Sequence, residues 1–154
     1  MARVKINFPK SVHFSEIQEV RIQDVNYRKH VGHDKLISML HEARAGFFET
    51  IGESEMADSP KGYILADLEI QYLGEAFFGD KLKVEISVNE ISSRSCNFYY
   101  QVSRASDIQD AEPTLIARAK TAVVFFDYEL EKAIAVPESL LELKSVDPVS
   151  AIAC

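Results

Sequence analysis

A chain of 154 residues is long enough to bury about two thirds of its unfolded surface around one core, so a single domain spanning 1–154 is expected, its core over about 12–140. Its net charge of −7 and pI near 5.1 come without any lysine and arginine run, which excludes a duplex nucleic-acid binder that must displace counterions with clustered cations. No apolar stretch approaches the roughly 18 residues that span a bilayer, the charged start MARVKINFPK precedes no hydrophobic signal core, and Cys96 and Cys154 suggest neither a disulfide framework nor a metal site; a soluble cytoplasmic protein without membrane contact is the expectation.

Val12 to Asp24 reads as an extended segment in which Val20, Ile22 and Asp24 share a face, with Asn26 pointing the same way if the strand runs that far. The polar turn that follows ends in Gly32-His33-Asp34, a flexible residue, an imidazole and a helix-capping carboxylate, so a helix opens near Asp34. Leu36, Leu40, Ala43, Phe47 and Ile51 then fall on one line, with Ile37 and Phe48 about 100° to one side. So broad a stripe needs a sheet against it. Asp34, Ser38, His41 and Glu42 occupy the opposite side, Ala43, Ala45 and Gly46 leave room for another backbone, and Gly52 ends the helix as a left-handed cap would.

The stretch ESEMADSPKG is a surface loop, and from Tyr63 the period changes from helical to alternating. Ile64, Ala66, Leu68, Ile70 and Tyr72 define one face of a strand; Gly74 and Gly79 bracket a turn; Leu82, Val84, Ile86 and Val88 face inward from the next. A third strand alternates Cys96, Phe98, Tyr100 and Val102 against polar neighbours, and after the loop ASDIQDAEP a fourth runs from Thr114 to Phe126 with Ala117, Ala119, Thr121 and Val123 on one face. Short connections favour an antiparallel meander, Pro137 before ESLLEL suggests a short terminal helix, and the tail to Cys154 is expected to be loosely held. One long helix with about five antiparallel strands makes an α+β layer architecture.

With these residues in view, the chain resembles the hot dog fold thioesterases of the 4-hydroxybenzoyl-CoA thioesterase type. The likeness runs from about Val20 to Leu140. It rests on D-x-N-Y-x-x-H-x-G-x-D (Asp24, Asn26, Tyr27, His30, Gly32, Asp34), L-x-E-A-R (Leu40, Glu42, Ala43, Arg44), Y-L-x-E-A-x-x-G-D (Tyr72 to Asp80), and F-F-D followed by P-E-S-L near the end. The resemblance implies a curved antiparallel sheet wrapped around one helix, homodimers joined edge to edge and often paired into tetramers, and metal-independent hydrolysis of acyl-coenzyme A beside the helix N-terminus at the dimer interface. Coenzyme A is then part of the substrate, with no separate cofactor. Catalytic roles fall to Asn26, His30, Asp34 and Asp24, and substrate contacts to Tyr27, Gly32, His33 and Tyr72.

Asn26 departs from the family pattern, which usually has an aspartate there as nucleophile or base. An amide cannot take a proton from water, so Asp34 or Asp24 is expected to replace the missing carboxylate, with His30 beside it because imidazole titrates near neutral pH. Free amides at the helix start would favour the oxyanion of the thioester, placing its carbonyl near Gly32 to Asp34. Each role has a structural rival: Asp34 as helix cap, His30 closing the turn, Asn26 bracing it, and His33 and His41 on solvated faces.

Arg44, projected onto the apolar side, calls for a structural ion pair, within the chain or across the dimer. Asp80 is expected to fix its turn, Asp67 and Glu69 to face solvent or an interface, and Cys96 to fill core. Arg28, Lys29, Arg94, Arg118 and Lys120 are the cations available to coenzyme A phosphates. The alternative functional reading is a non-catalytic acyl-thioester binding or regulatory protein that kept the fold and lost the carboxylate; a lyase or dehydratase acting on acyl carrier protein is a third.

Overall fold

The architecture follows from one broad apolar helix face seeking a sheet. The computed structural model describes residues 1–55, 57–105 and 111–146, so the expected loose tail with Cys154 and most of the loop after Arg104 lie outside the described residues. Helix α1 spans His33–Thr50. Strands β1 (Phe14–Glu19), β2 (Lys61–Tyr72), β3 (Lys81–Asn89), β4 (Ser95–Arg104), β5 (Thr114–Asp127) and the two-residue β6 (Lys132–Ala133) form one antiparallel sheet, and α2 covers Glu138–Val146.

The alternation in β3, β4 and β5 is as expected, with Leu82, Val84, Ile86, Phe98, Tyr100, Val102, Ala117, Ala119 and Val123 all buried. Against them packs the helix stripe Leu36, Leu40, Ala43, Phe47 and Phe48, with Phe47 and Phe48 in tilted and edge-on contact with Phe98. Interdigitated aromatic edges and faces of this kind add to the energy of area burial alone. Gly46 admits β1, since a Cβ there would meet the Phe14 ring at 3.1 Å. Gly52, at φ +78°, follows the helix end in the left-handed region.

Three sequence expectations are corrected. The extended run stops at Glu19, and Ile22–Asp24 turns into a 3-10 helix, so Asp24 and Asn26 do not share a strand face. The Asp24 carboxylate instead accepts the Arg21 N–H at 2.8 Å, because a short polar side chain satisfies a turn better than it pairs in a strand. The β2 face is broken by a bulge at Ala66, between Leu65 and Asp67, which shifts its alternation by one residue.

The meander also fails at one point. The strand order is β1-β3-β4-β5-β2, so β2 pairs with β5 and the chain crosses from that edge before β3 begins. Gly74 makes the crossing possible: both Leu73 and Gly74 N–H groups donate to the Ile116 carbonyl, and a Cβ on Gly74 would stand 2.6 Å from the Leu115 carbonyl oxygen. The turn closes as expected on Asp80, whose carboxylate accepts the Phe77 N–H at 2.8 Å and Arg104 at 3.1 Å.

Candidate active site

The crossing segment is what holds the polar turn. Val31 N–H donates to the Ala76 carbonyl, and His30 bridges antiparallel to Phe77. Within the turn, Asn26 N–H donates to the His30 carbonyl and Gly32 N–H to the Asp24 carbonyl at 3.0 Å. Lys29 takes φ +67° to close it. The Asn26 side-chain oxygen accepts the Arg28 N–H at 2.9 Å, a contact within the turn.

Helix α1 opens at His33, beside Asp34 as expected, but Asp34 is not its cap. Gly32 is the N-cap, it has extended backbone, and no side chain caps the helix. Asp34 sits in the first turn, and its Oδ1 lies 2.7 Å from where a Cβ on Gly32 would stand. The first helical bond is Leu36 N–H to the Gly32 carbonyl, which leaves the amides of His33, Asp34 and Lys35 without a helical acceptor. An uncapped first turn carries partial positive charge and binds developing anions.

Around this helix start, Tyr72 at the end of β2 donates to the His33 carbonyl at 3.2 Å. Its phenol is held above the ordinary value by burial and then by the charge of Asp34, which places the two side chains within electrostatic reach. Asp34 and His33 are exposed, Tyr27 is fully so at 106%. His30 is half-buried, its Nδ1 3.5 Å from the Val31 carbonyl and its Nε2 4.0 Å from Glu75. Glu75 belongs to the Y-L-x-E-A run, whose spacing gave no sign of this neighbour.

The carboxylate candidates separate. Asp24 is committed to the 3-10 turn and borders a groove of about 320 Å³ with Arg21, Lys35 and Glu42, a groove that neither Asp34 nor His30 lines. Asp34 lies on the Tyr72 side. Among the cations offered to phosphates, Lys120 is paired with Asp67 at 3.0 Å and Arg118 bonds Gln101 at 2.9 Å, while Arg28, Lys29 and Arg94 are exposed. Cys96 is buried and its thiol is pushed up to about 12 by that burial, which suits a core residue.

Toward the other end of α1 lies a cavity of about 880 Å³. Arg44, only 6% exposed, donates from Nε to the Tyr63 hydroxyl at 2.9 Å and from Nη1 to the Tyr100 hydroxyl at 3.0 Å. Tyr63 in turn donates to Glu55, which also meets His41 Nε2 at 3.0 Å. The expected partner of Arg44 is thus within the chain, Glu55 at 4.0 Å with Tyr63 between them. Helical spacing flagged the arginine, but nothing in the loop sequence singled out Glu55.

The sequence profile of the thioesterase-like superfamily matches residues 20–143. The chain belongs to that superfamily. A 1,4-dihydroxy-2-naphthoyl-CoA hydrolase from Microcystis aeruginosa is 28% identical over 108 residues, 68% of this chain and 73% of the hydrolase. Among solved structures, a 1,4-dihydroxy-2-naphthoyl-CoA thioesterase from Synechocystis superposes with TM-score 0.72 at 22% identity over 83% of this chain and 92% of that one. A 4-hydroxybenzoyl-CoA thioesterase, an aspartate-to-asparagine variant in complex with 4-hydroxybenzoyl-CoA, gives TM-score 0.73 at 23% identity over 84% and 96%. These likenesses establish the hot dog fold for the superfamily member described here.

Proposed function

We propose that this chain hydrolyses acyl-coenzyme A thioesters as a homodimer. The observation that carries the reading is the uncapped start of α1, with Asp34 exposed beside it, in a member of the thioesterase-like superfamily. In this reading the thioester oxygen sits on the His33 to Lys35 amides, which strengthen their hold as the tetrahedral oxyanion forms. Asp34 is the base that takes a proton from the attacking water, since Asp24 is occupied by its turn and Asn26 cannot accept one. His30, hinged on the crossing segment beside Glu75, stands ready to protonate the departing thiolate. Tyr72 fixes the helix start, and Tyr27, Gly32 and His33 face the bound thioester.

The dimer is read from β2. It is a 12-residue strand at the sheet edge, and Ile64 and Leu65 are 43% and 44% exposed on it, a combination that natural edges normally avoid. Antiparallel pairing with a second copy about the strand's middle covers them. A purified chain assayed for thiol release against short, long and aromatic acyl-CoAs is expected to turn over at least one, and Asp34→Asn to lose roughly 100-fold or more of that rate. Parent-like rates in both Asp34→Asn and His30→Ala would remove them from the mechanism. The amide at Asn26 favours the second reading, a non-catalytic acyl-thioester binder, which saturable binding without thiol release would establish.

A further inference from the structure

The crossing segment Leu73 to Asp80 holds the polar turn, and the turn leads straight into α1, so whatever fixes the segment fixes the start of the helix. On the side of the turn the segment is pinned by backbone bonds: Val31 N–H to the Ala76 carbonyl at 2.8 Å, Gly79 N–H to the Val20 carbonyl at 2.9 Å, and Val20 N–H to the Asp80 carbonyl at 2.8 Å. On the side of the sheet a side chain reaches it. Arg104 closes β4, opposite Leu82 and Thr114, and its Nη1 donates both to the Glu75 carbonyl at 2.9 Å and to the Asp80 carboxylate at 3.1 Å. Its guanidinium carbon stands 5.8 Å from the centre of the Phe77 ring, within the range of a cation–π contact. The carbonyls of two consecutive residues, Glu75 and Ala76, are thus held by different neighbours, Arg104 from β4 and Val31 from the turn.

We infer that Arg104 is a positioning residue for the thioester centre: it clamps the crossing segment and, through the Val31 bond, sets where Gly32 and the first-turn amides of His33 to Lys35 stand. The inference rests on the proposed thioesterase. A guanidinium suits the task because its N–H groups point in fixed directions within one plane, so one side chain holds a carbonyl and a carboxylate while its face covers a ring. Asp80 ties these contacts together. The same carboxylate oxygen that takes Arg104 takes the Phe77 N–H at 2.8 Å, and Phe77 bridges to His30. The clamp does little for the fold as a whole: the side chains of Arg104 and Asp80 are 28% and 24% exposed, and ion pairs that open to solvent contribute little to global stability. Its loss is therefore felt at the turn before it is felt in unfolding.

The test compares the full-length parent, Arg104→Lys and Arg104→Met at a temperature where circular dichroism shows each folded. Thiol release is followed on whichever of acetyl-, palmitoyl- and benzoyl-CoA the parent turns over fastest, and hydrogen exchange is read by mass spectrometry over residues 25–32 and 41–50. Arg104→Met is expected to lose roughly tenfold in kcat, because even a small misplacement of the groups around a reacting centre is costly, with KM within about twofold of the parent. Lysine keeps a charge beside Asp80 without the planar fork, so Arg104→Lys should fall between the two. Exchange over 25–32 should rise roughly tenfold in Arg104→Met while 41–50 is unchanged, since the opening is local. Parent-like kcat in both variants, a loss confined to KM, or exchange raised equally over both stretches overturns the inference. Should Arg104→Met fail to fold, Arg104→Lys decides alone, and parent values of kcat and of exchange over 25–32 overturn it. A parent that releases no thiol refutes the thioesterase reading instead, and exchange over 25–32 then decides whether Arg104 holds the turn.

Discussion

Replacing Arg44 by leucine probes the most heavily invested polar group in the core. The guanidinium is buried and gives two hydrogen bonds, to Tyr63 and Tyr100. Bonds from a charged donor contribute about 1.5 to 3 kcal/mol each, and the lower end applies here because both hydroxyls keep another partner, Glu55 and Thr121. The loss should therefore be about 3 kcal/mol, or about 9 °C in Tm for a domain of this size. Leucine restores part of the apolar contact, but Glu55 is left in the cavity wall without its nearby cation. Neutralising it in Arg44→Leu/Glu55→Gln should recover about 1 kcal/mol relative to the sum of the single variants. Thermal and urea unfolding at fixed protein concentration measure all four chains of the cycle. A single-variant loss under about 1 kcal/mol, or a double variant worse than additive, would refute the account of the cluster.

Gly74→Ala should cost about 2 kcal/mol, read as a lowered urea midpoint, because the new methyl meets the Leu115 backbone carbonyl at 2.6 Å and neither side can move without breaking the crossing. Ile64→Lys should shift the chain toward monomer in analytical ultracentrifugation with its far-UV spectrum kept, since a lysine blunts an edge strand; an unchanged dimer argues against pairing through β2. Glu16 has its pKa raised, chiefly by burial, against which Gln18 lowers it and Glu42 raises it again. The folded state then holds its proton more tightly than the unfolded one, so Glu16 weighs against stability as pH rises through and above the ordinary value of 4.5. Glu16→Gln should raise Tm at neutral pH and leave it unchanged near pH 3; an equal gain at both would refute the ionic origin.

Periodicity made most of the fold legible. The α1 stripe and the inward residues of β3, β4 and β5 follow directly from 3.6- and 2-residue repeats, because each of these elements buries one face against the same core. The β2 face was misread because a bulge changes the parity of a strand without altering composition. The crossing to β3 was missed because hydrophobic pattern records which face is buried and says nothing of which strand lies alongside. For the site, the motif located the turn and the helix start correctly, but the capping role expected of Asp34 went to Gly32, whose missing Cβ is what leaves room for the Asp34 carboxylate. Glu55 was unreadable: it meets Arg44 across a loop, and only the need of a buried cation for a partner pointed that way.

Asn26 offers the sharpest separation of enzyme from binder. Its side-chain oxygen accepts the Arg28 N–H at 2.9 Å, a bond that an aspartate would make at least as well, so nothing in the turn's geometry demands the amide. Asn26→Asp should accordingly fold with its Tm within about 2 °C of the parent. Its effect on thiol release then depends on where the working carboxylate is. If Asp34 already serves as the base, a second carboxylate nearby adds a competing negative charge where the oxyanion forms, and the rate should fall or stay level. If the chain binds thioesters without cleaving them because the turn lacks an acid, the same substitution should create hydrolysis from none, by roughly 100-fold or more over background. Parent activity that is measurable, and not raised by Asn26→Asp, supports Asp34; an inactive parent made active by it would end the assignment of Asp34 as base.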